Sequence, residues 1–149
     1  MLCALLAASS LSFAQTNVLL LPKPEPVAAK AGTTVEVKLP VQLREGYHVN
    51  SNTPPDPYLV PLRLTWEGGP FTGAETVYPK PSFLKVEFFQ GPLPVFSGRF
   101  ELLTRFKVAA SAQPGLVNVP GKLRYQACND RMCLPPKTIE LTLPVSVTR

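Results

Sequence analysis

The sequence is poor in the residues from which most active sites are built. Only one histidine, His48, stands among 149 residues, and no Cys-x-x-Cys pair is present, so a zinc site has little to start from. Gly-x-Ser-x-Gly is absent, and one histidine among scattered acids forms no recognisable hydrolytic triad. No stretch beyond Ala14 approaches the ~20 apolar residues of a membrane-spanning helix. Helical periodicity is missing after that point, and there is no internal repeat. The net charge of +5 is spread along the chain with no basic run, which describes a solvated surface rather than a nucleic-acid footprint. That sign mildly favours acidic partners.

Cysteine is scarce as well, with three in the chain. Cys3 lies in residues 1–14, an uncharged segment that is apolar around Leu5 and Leu6 and ends in Ser12-Phe13-Ala14, a small-x-small cleavage pattern. This reads as a secretory signal peptide, although the usual basic n-region is missing. Cys3 would leave with it. Cys128 and Cys133 remain, in an exported chain where disulfides can form.

The rest reads as β-structure. Residues 15–32, with Pro22, Pro24 and Pro26, suit an extended lead-in rather than a packed element. Residues 33–149 form the expected domain. Val35, Val37, Leu39, Val41 and Leu43 alternate on one strand face, with Pro40 asking for an edge or a bulge. Residues 47–61, rich in Asn, Ser and Pro, read as a long ordered loop. Val60, Leu62, Leu64 and Trp66 alternate next, then more weakly residues 72–78. Leu84, Val86 and Phe88 follow, and a strong strand places Phe100, Leu102, Phe106 and Val108 inward. Roughly seven to nine short strands with turn signals about every 8–12 residues predict an all-β, immunoglobulin-like β-sandwich.

The cysteines fall in Tyr125-Gln-Ala-Cys128-Asn-Asp-Arg-Met-Cys133-Leu-Pro-Pro136. Leu123, Tyr125 and Ala127 alternate before them, Ile139, Leu141 and Leu143 after them, and Asn129-Asp130 offers turn residues. The cysteines should therefore face each other across a hairpin, where non-hydrogen-bonded antiparallel positions bring Cα atoms to about 4.5 Å, within disulfide range. So short a loop gains only about 2 kcal/mol from cross-linking. Its polar contents, including Arg131, suit an accessible bond. On spacing alone, a structural clip in a protein-binding module and a redox pair both stay open. Copper is a weaker alternative, with Cys128, Cys133, Met132 and His48 as soft donors; His48 by itself reads as a loop side chain.

This block resembles the active-site strand pair of the N-terminal domain of DsbD, the bacterial thiol:disulfide interchange protein. Gly46-Tyr47-His48-Val49-Asn50 resembles the Gly-Tyr segment before that family's site, and Glu87-Phe88-Phe89-Gln90-Gly91 resembles its cap loop, which shields the disulfide. Two departures stand out: four residues separate the cysteines where well-known members have five, and Val86 replaces a second acid. The resemblance implies a periplasmic or secreted domain, monomeric and without metal or organic cofactor. Such a domain passes electrons from a thioredoxin-like or membrane-linked donor to oxidised periplasmic proteins, as a protein-disulfide reductase or electron-transfer component. It implies Cys133 as the cysteine that engages partners and Cys128 as the resolving one. Glu87, Phe88 and Phe89 become the cap, with Tyr47, Tyr125 and Pro135 in support. With no membrane helix or thioredoxin-like domain in the sequence, either a separate donor is expected or the chain is one fragment of a larger system.

Overall fold

The computed structural model describes residues 17–149, so the expected signal segment, residues 1–14, lies outside it. Among the described residues every helix or strand is a β-strand. They run β1 (Leu19–Leu20), β2 (Val27–Lys30), β3 (Thr34–Leu43), β4 (His48–Asn50), β5 (Arg63–Trp66) and β6 (Phe71–Val77). Then come β7 (Ser82–Leu84), β8 (Leu93–Ser97), β9 (Arg99–Val108), β10 (Gly115–Tyr125), β11 (Ala127–Cys128) and β12 (Lys137–Thr148). They assemble as three four-stranded sheets, β1-β3-β9-β6, β2-β12-β10-β5 and β11-β4-β8-β7. The first two stack as the layers of an immunoglobulin-like sandwich.

Alternation explains the layers. Val37, Leu39, Val41 and Leu43 on β3 are buried, as are Leu102, Thr104, Phe106 and Val108 on β9. From the facing layer come Val119, Leu123 and Tyr125 on β10, with Leu141, Leu143, Val145 and Val147 on β12. The intervening residues of β3, β9 and β12 are mostly exposed, so each strand is half-buried and period two follows. Thr104 is a polar exception that is satisfied: the Trp66 indole N–H donates to its Oγ1 at 3.2 Å, and Thr76 Oγ1 lies at 3.3 Å.

The proline-rich lead-in behaves differently from its expectation. It is extended, but it is packed. Leu19 pairs with Leu43 at the edge of the first layer, and Val27 pairs in parallel with Val145 at the edge of the second. Val18, Leu19 and Ala29 are buried. Pro22, Pro24 and Pro26 occupy the unpaired crossing between these two short edge contacts, where no N–H is needed.

The third sheet carries the cysteines, and it continues the first. The β3–β9 ladder runs as far as Gln42↔Arg99 and resumes as His48↔Ser97 between β4 and β8. Residues 43–47 intervene on one strand against Gly98 alone on the other. Gly98 takes φ 64° there, a left-handed conformation that side chains other than glycine's seldom accept. The inserted residues re-aim the ladder past the end of the sandwich. From the other layer, β10 breaks at Gln126 and its continuation, β11, pairs with β4. The cysteine hairpin thus joins both layers.

Candidate functional site

The β10–β12 ladder ends at Tyr125↔Lys137, and residues 126–136 project beyond it. Asn129 N–H donates to the Met132 carbonyl at 2.9 Å, and Leu134 N–H donates to the Ala127 carbonyl at 2.8 Å. These bonds flank Cys128 and Cys133, which form a bridge between them. The cysteines therefore occupy the non-hydrogen-bonded position, where side chains come closest. They form a disulfide, with Sγ–Sγ 2.03 Å and Cα–Cα 3.9 Å. Asn129 closes the loop through its side chain: Oδ1 accepts from the N–H groups of Arg131 and Met132 at 2.9 and 2.8 Å. This is the Asx-turn chemistry that the Asn129-Asp130 pair promises. Gln126 Nε2 donates to the Leu134 carbonyl at 3.2 Å and ties the two legs together.

The two sulfurs sit in unlike surroundings. Cys128 retains 1% of its surface, whereas Cys133 is half-buried and stands beside the exposed Pro135 and Pro136. Cys128 is held by β4, where it lies opposite His48, while Ala127 lies opposite Val49. Val49 and Ala127 point into the core cluster. By alternation, Cys128 and His48 share the opposite face. His48 also pairs with Ser97 of β8. One lateral row therefore runs Cys133, Cys128, His48, Ser97.

His48 is 4% exposed, and burial holds its imidazole below the ordinary histidine range. Its Nε2 is buried, with no hydrogen-bond partner among the described residues. Sequence reasoning leaves this residue outside the site, because residues 47–61 read as loop. The three-residue strand β4 is too short to show a period.

Two open clefts flank the hairpin. One, of about 470 Å³, is lined by Gly46 and His48, by Val86 and Glu87 from the loop after β7, and by Asp130 and Arg131 from the cysteine turn. The other, of about 530 Å³, is lined by Tyr47, Tyr125, Leu134 and Pro135, with Arg44 and Lys137 at its rim. Tyr125 is 4% exposed, and burial raises its phenol above the ordinary range. The expected site residues thus divide. Tyr47, Tyr125 and Pro135 line one cleft, and Glu87 lines the other. Phe88 and Phe89 line neither. The strand read through Leu84, Val86 and Phe88 stops at Leu84, and Phe89 N–H reaches back to the Val86 carbonyl at 3.4 Å. Both aromatics therefore lie in a turn, where the opposite-face rule for strand neighbours does not hold; Phe88 is 46% exposed. Among the described residues, no group of three or more His, Cys, Asp or Glu is placed to hold a metal ion.

A sandwich with a disulfide at the tip of a hairpin spanning its two layers defines a class of disulfide-bearing β-domains. Within that class, the chain belongs to the family described as "Thiol:disulfide interchange protein DsbD, N-terminal", which matches residues 17–144. Among solved structures it is similar to the N-terminal periplasmic domain of ScsB from Proteus mirabilis, with a TM-score of 0.58 and 17% identity over 84% of this chain. The chain spans 44% of that domain's solved chain. It also resembles a family 123 glycoside hydrolase from Clostridium perfringens, with a TM-score of 0.44 and 14% identity over 81% of this chain and 22% of that one. A chain of the Coh-OlpA–Doc918 cohesin–dockerin complex from Clostridium thermocellum gives 0.45 and 17% over 89% of this chain and 100% of that one. No curated protein matches the sequence significantly.

Proposed function

We propose that this chain is a periplasmic or secreted thiol:disulfide exchange domain. It passes electrons between a thioredoxin-like or membrane-linked donor and oxidised protein partners through Cys128 and Cys133. The observation that carries this reading is the unequal burial of the two sulfurs at the tip of the projecting hairpin. A thiolate that attacks a disulfide must reach one sulfur and expel the other. Cys133 is the reachable one, beside Pro135 and Pro136, which have no N–H to pair and leave the backbone edge open. Cys128 is the buried one and resolves the mixed disulfide. Family membership supports the same chemistry, and the domain acts as a monomer.

The test uses single-cysteine variants, each mixed with a thioredoxin-like protein that lacks its own resolving cysteine. Mixed disulfide should accumulate with Cys128→Ser and hardly at all with Cys133→Ser. Equal trapping by both variants refutes the division of roles. If neither variant traps any thioredoxin-like partner, a binding module in which the bond only clips a hairpin becomes the better reading.

A further inference from the structure

We propose that His48 is the proton acceptor for Cys128: its Nε2 takes the Cys128 thiol proton as that sulfur attacks Cys133 in a mixed disulfide. This rests on the exchange reading above and adds a residue to it.

Three observations carry the proposal. First, His48 and Cys128 are direct cross-strand partners, so their side chains leave the same sheet face with Cβ atoms about 4.5–5.5 Å apart. Second, His48 is 4% exposed, and its Nε2 is shut away from water with no partner among the described residues. Buried polar atoms are nearly always satisfied, and an orphan calls for a reason. Cys128 supplies one. In the disulfide its sulfur has no proton to share, and reduction creates an S–H on the residue directly opposite His48. Third, the neighbours leave that nitrogen to the cysteine. Across β4 on the other side stands Ser97, exposed and uncharged. The charged groups facing the same cleft are Lys85 and Glu87 from the loop after β7 and Asp130 and Arg131 from the cysteine turn, all of them exposed. Burial keeps the imidazole neutral near pH 7, so it is ready to accept. Cys128 needs such a base, because an apolar site raises a thiol's pKa and only the thiolate attacks.

In the reduced domain, the Cys133 thiolate attacks a partner disulfide; a Cys133–partner S–S bond forms and one partner sulfur leaves as thiolate. The Cys128 proton then passes to His48 Nε2, and the Cys128 sulfur attacks Sγ of Cys133. The Cys128–Cys133 bond forms, the Cys133–partner bond breaks, and the second partner sulfur leaves and takes up the proton from His48. Two electrons move from the domain to the partner, and His48 ends neutral. The reverse direction uses the same proton to protect Cys128 as it is expelled.

The test uses the reduced full chain carrying Cys3→Ser and a chromogenic aromatic disulfide, dithiobis(nitrobenzoate). The first equivalent of coloured thiolate reports attack by Cys133, and the second, concentration-independent phase reports resolution by Cys128. General-base assistance is worth about 100-fold or more, so His48→Gln should slow the second phase about 100-fold at neutral pH and leave the first unchanged. The deficit should shrink as pH rises and hydroxide takes over the proton. A second phase that His48→Gln leaves unaltered at every pH overturns the proposal while the exchange reading stands. Absence of both phases with His48 in place overturns both. The chain's single histidine allows a companion measurement that needs no substitution at His48: the nitrogen-15 resonance of Nε2 should move when the disulfide is reduced. An unchanged resonance overturns the proposal.

Discussion

Reduction of the Cys128–Cys133 bond should cost about 2 kcal/mol and leave the sandwich folded. The bond joins residues at a sequence separation of 5. Closing so short a loop removes about 7 cal/mol/K of chain entropy from the unfolded state, or about 2 kcal/mol at 25 °C. The folded state keeps its other restraints on the hairpin. The β10–β12 ladder reaches Tyr125↔Lys137 without help from sulfur. Cys128 stays seated through the pairing of β11 with β4, and Ala127 and Val49 hold that pairing in the core. A loss of this size is a fraction of the 5–15 kcal/mol typical of a domain.

The melting temperature converts this into a number. At about 2.1 cal/mol/K per residue, roughly 130 ordered residues unfold with an entropy near 0.3 kcal/mol/K, so Tm should fall by about 7 °C. Calorimetry with and without a phosphine reductant measures the shift, and near-ultraviolet dichroism at 25 °C checks that tertiary packing survives. A cooperative transition lowered by a few degrees fits a bond that is free to turn over. A reduced chain already unfolded at 25 °C, or a drop beyond about 20 °C, refutes the reasoning, since loop entropy cannot supply it. The disulfide would then be a structural staple.

Asn129→Ala removes the acceptor that holds the N–H groups of Arg131 and Met132, a loss of about 1 kcal/mol in turn preorganisation. The oxidised pair should become about fivefold easier to reduce in a glutathione equilibrium, and an unchanged constant would mean that the turn does not bring the thiols together. Acid should destabilise the fold through His48, whose imidazole is held below its ordinary value of 6.5 by burial. The unfolded chain binds the proton first, so stability is full above that value and falls as pH drops from it toward the lower folded value. Denaturant melts between pH 7 and 5 should show this fall reduced in His48→Gln; equal pH dependence in both proteins removes His48 as its source.

Which parts of the molecule were legible follows from the length of each signal. β3, β9 and β12 are ten residues or longer, and their alternation of buried and exposed positions can be read directly. Pro40 also reads correctly as an edge feature: β1 pairs only with Leu43 and Gln42, while the register with β9 passes Pro40↔Glu101 unbroken. Short strands carry no period. β1 and β2 hide beside prolines, residues that rarely sit inside packed strands. β8 (Leu93–Ser97) hides in a stretch punctuated by Gly91, Pro92 and Pro94; Pro94 lies opposite Phe83 of the short outer strand β7, and its carbonyl still accepts from the Ser51 N–H at 2.9 Å. The cysteine hairpin was legible because its turn chemistry and flanking alternation are local. His48 was not, because its meaning comes from a long-range pairing with Cys128 that no spacing announces.

The crossing of β11 from one layer to the other gives the hairpin its polarity. A hairpin kept wholly within the β10–β12 sheet would leave both cysteines at a free tip, with similar exposure. Here the break at Gln126 hands only the first leg to β4, so Cys128 becomes a strand residue of a second sheet. Among the described residues, Cys133 pairs with Cys128 alone. An incoming thiolate lines up with the S–S bond opposite the sulfur it expels. On the exchange reading that approach ends at Cys133, and the departing charge falls on Cys128, in the position with least water to receive it. Charge in such a place needs a proton close at hand. In the structure, the residue standing opposite Cys128 is the chain's one histidine. On that reading, accessibility of one sulfur and protonation of the other both trace to a single topological choice, the transfer of two residues, Ala127 and Cys128, between sheets.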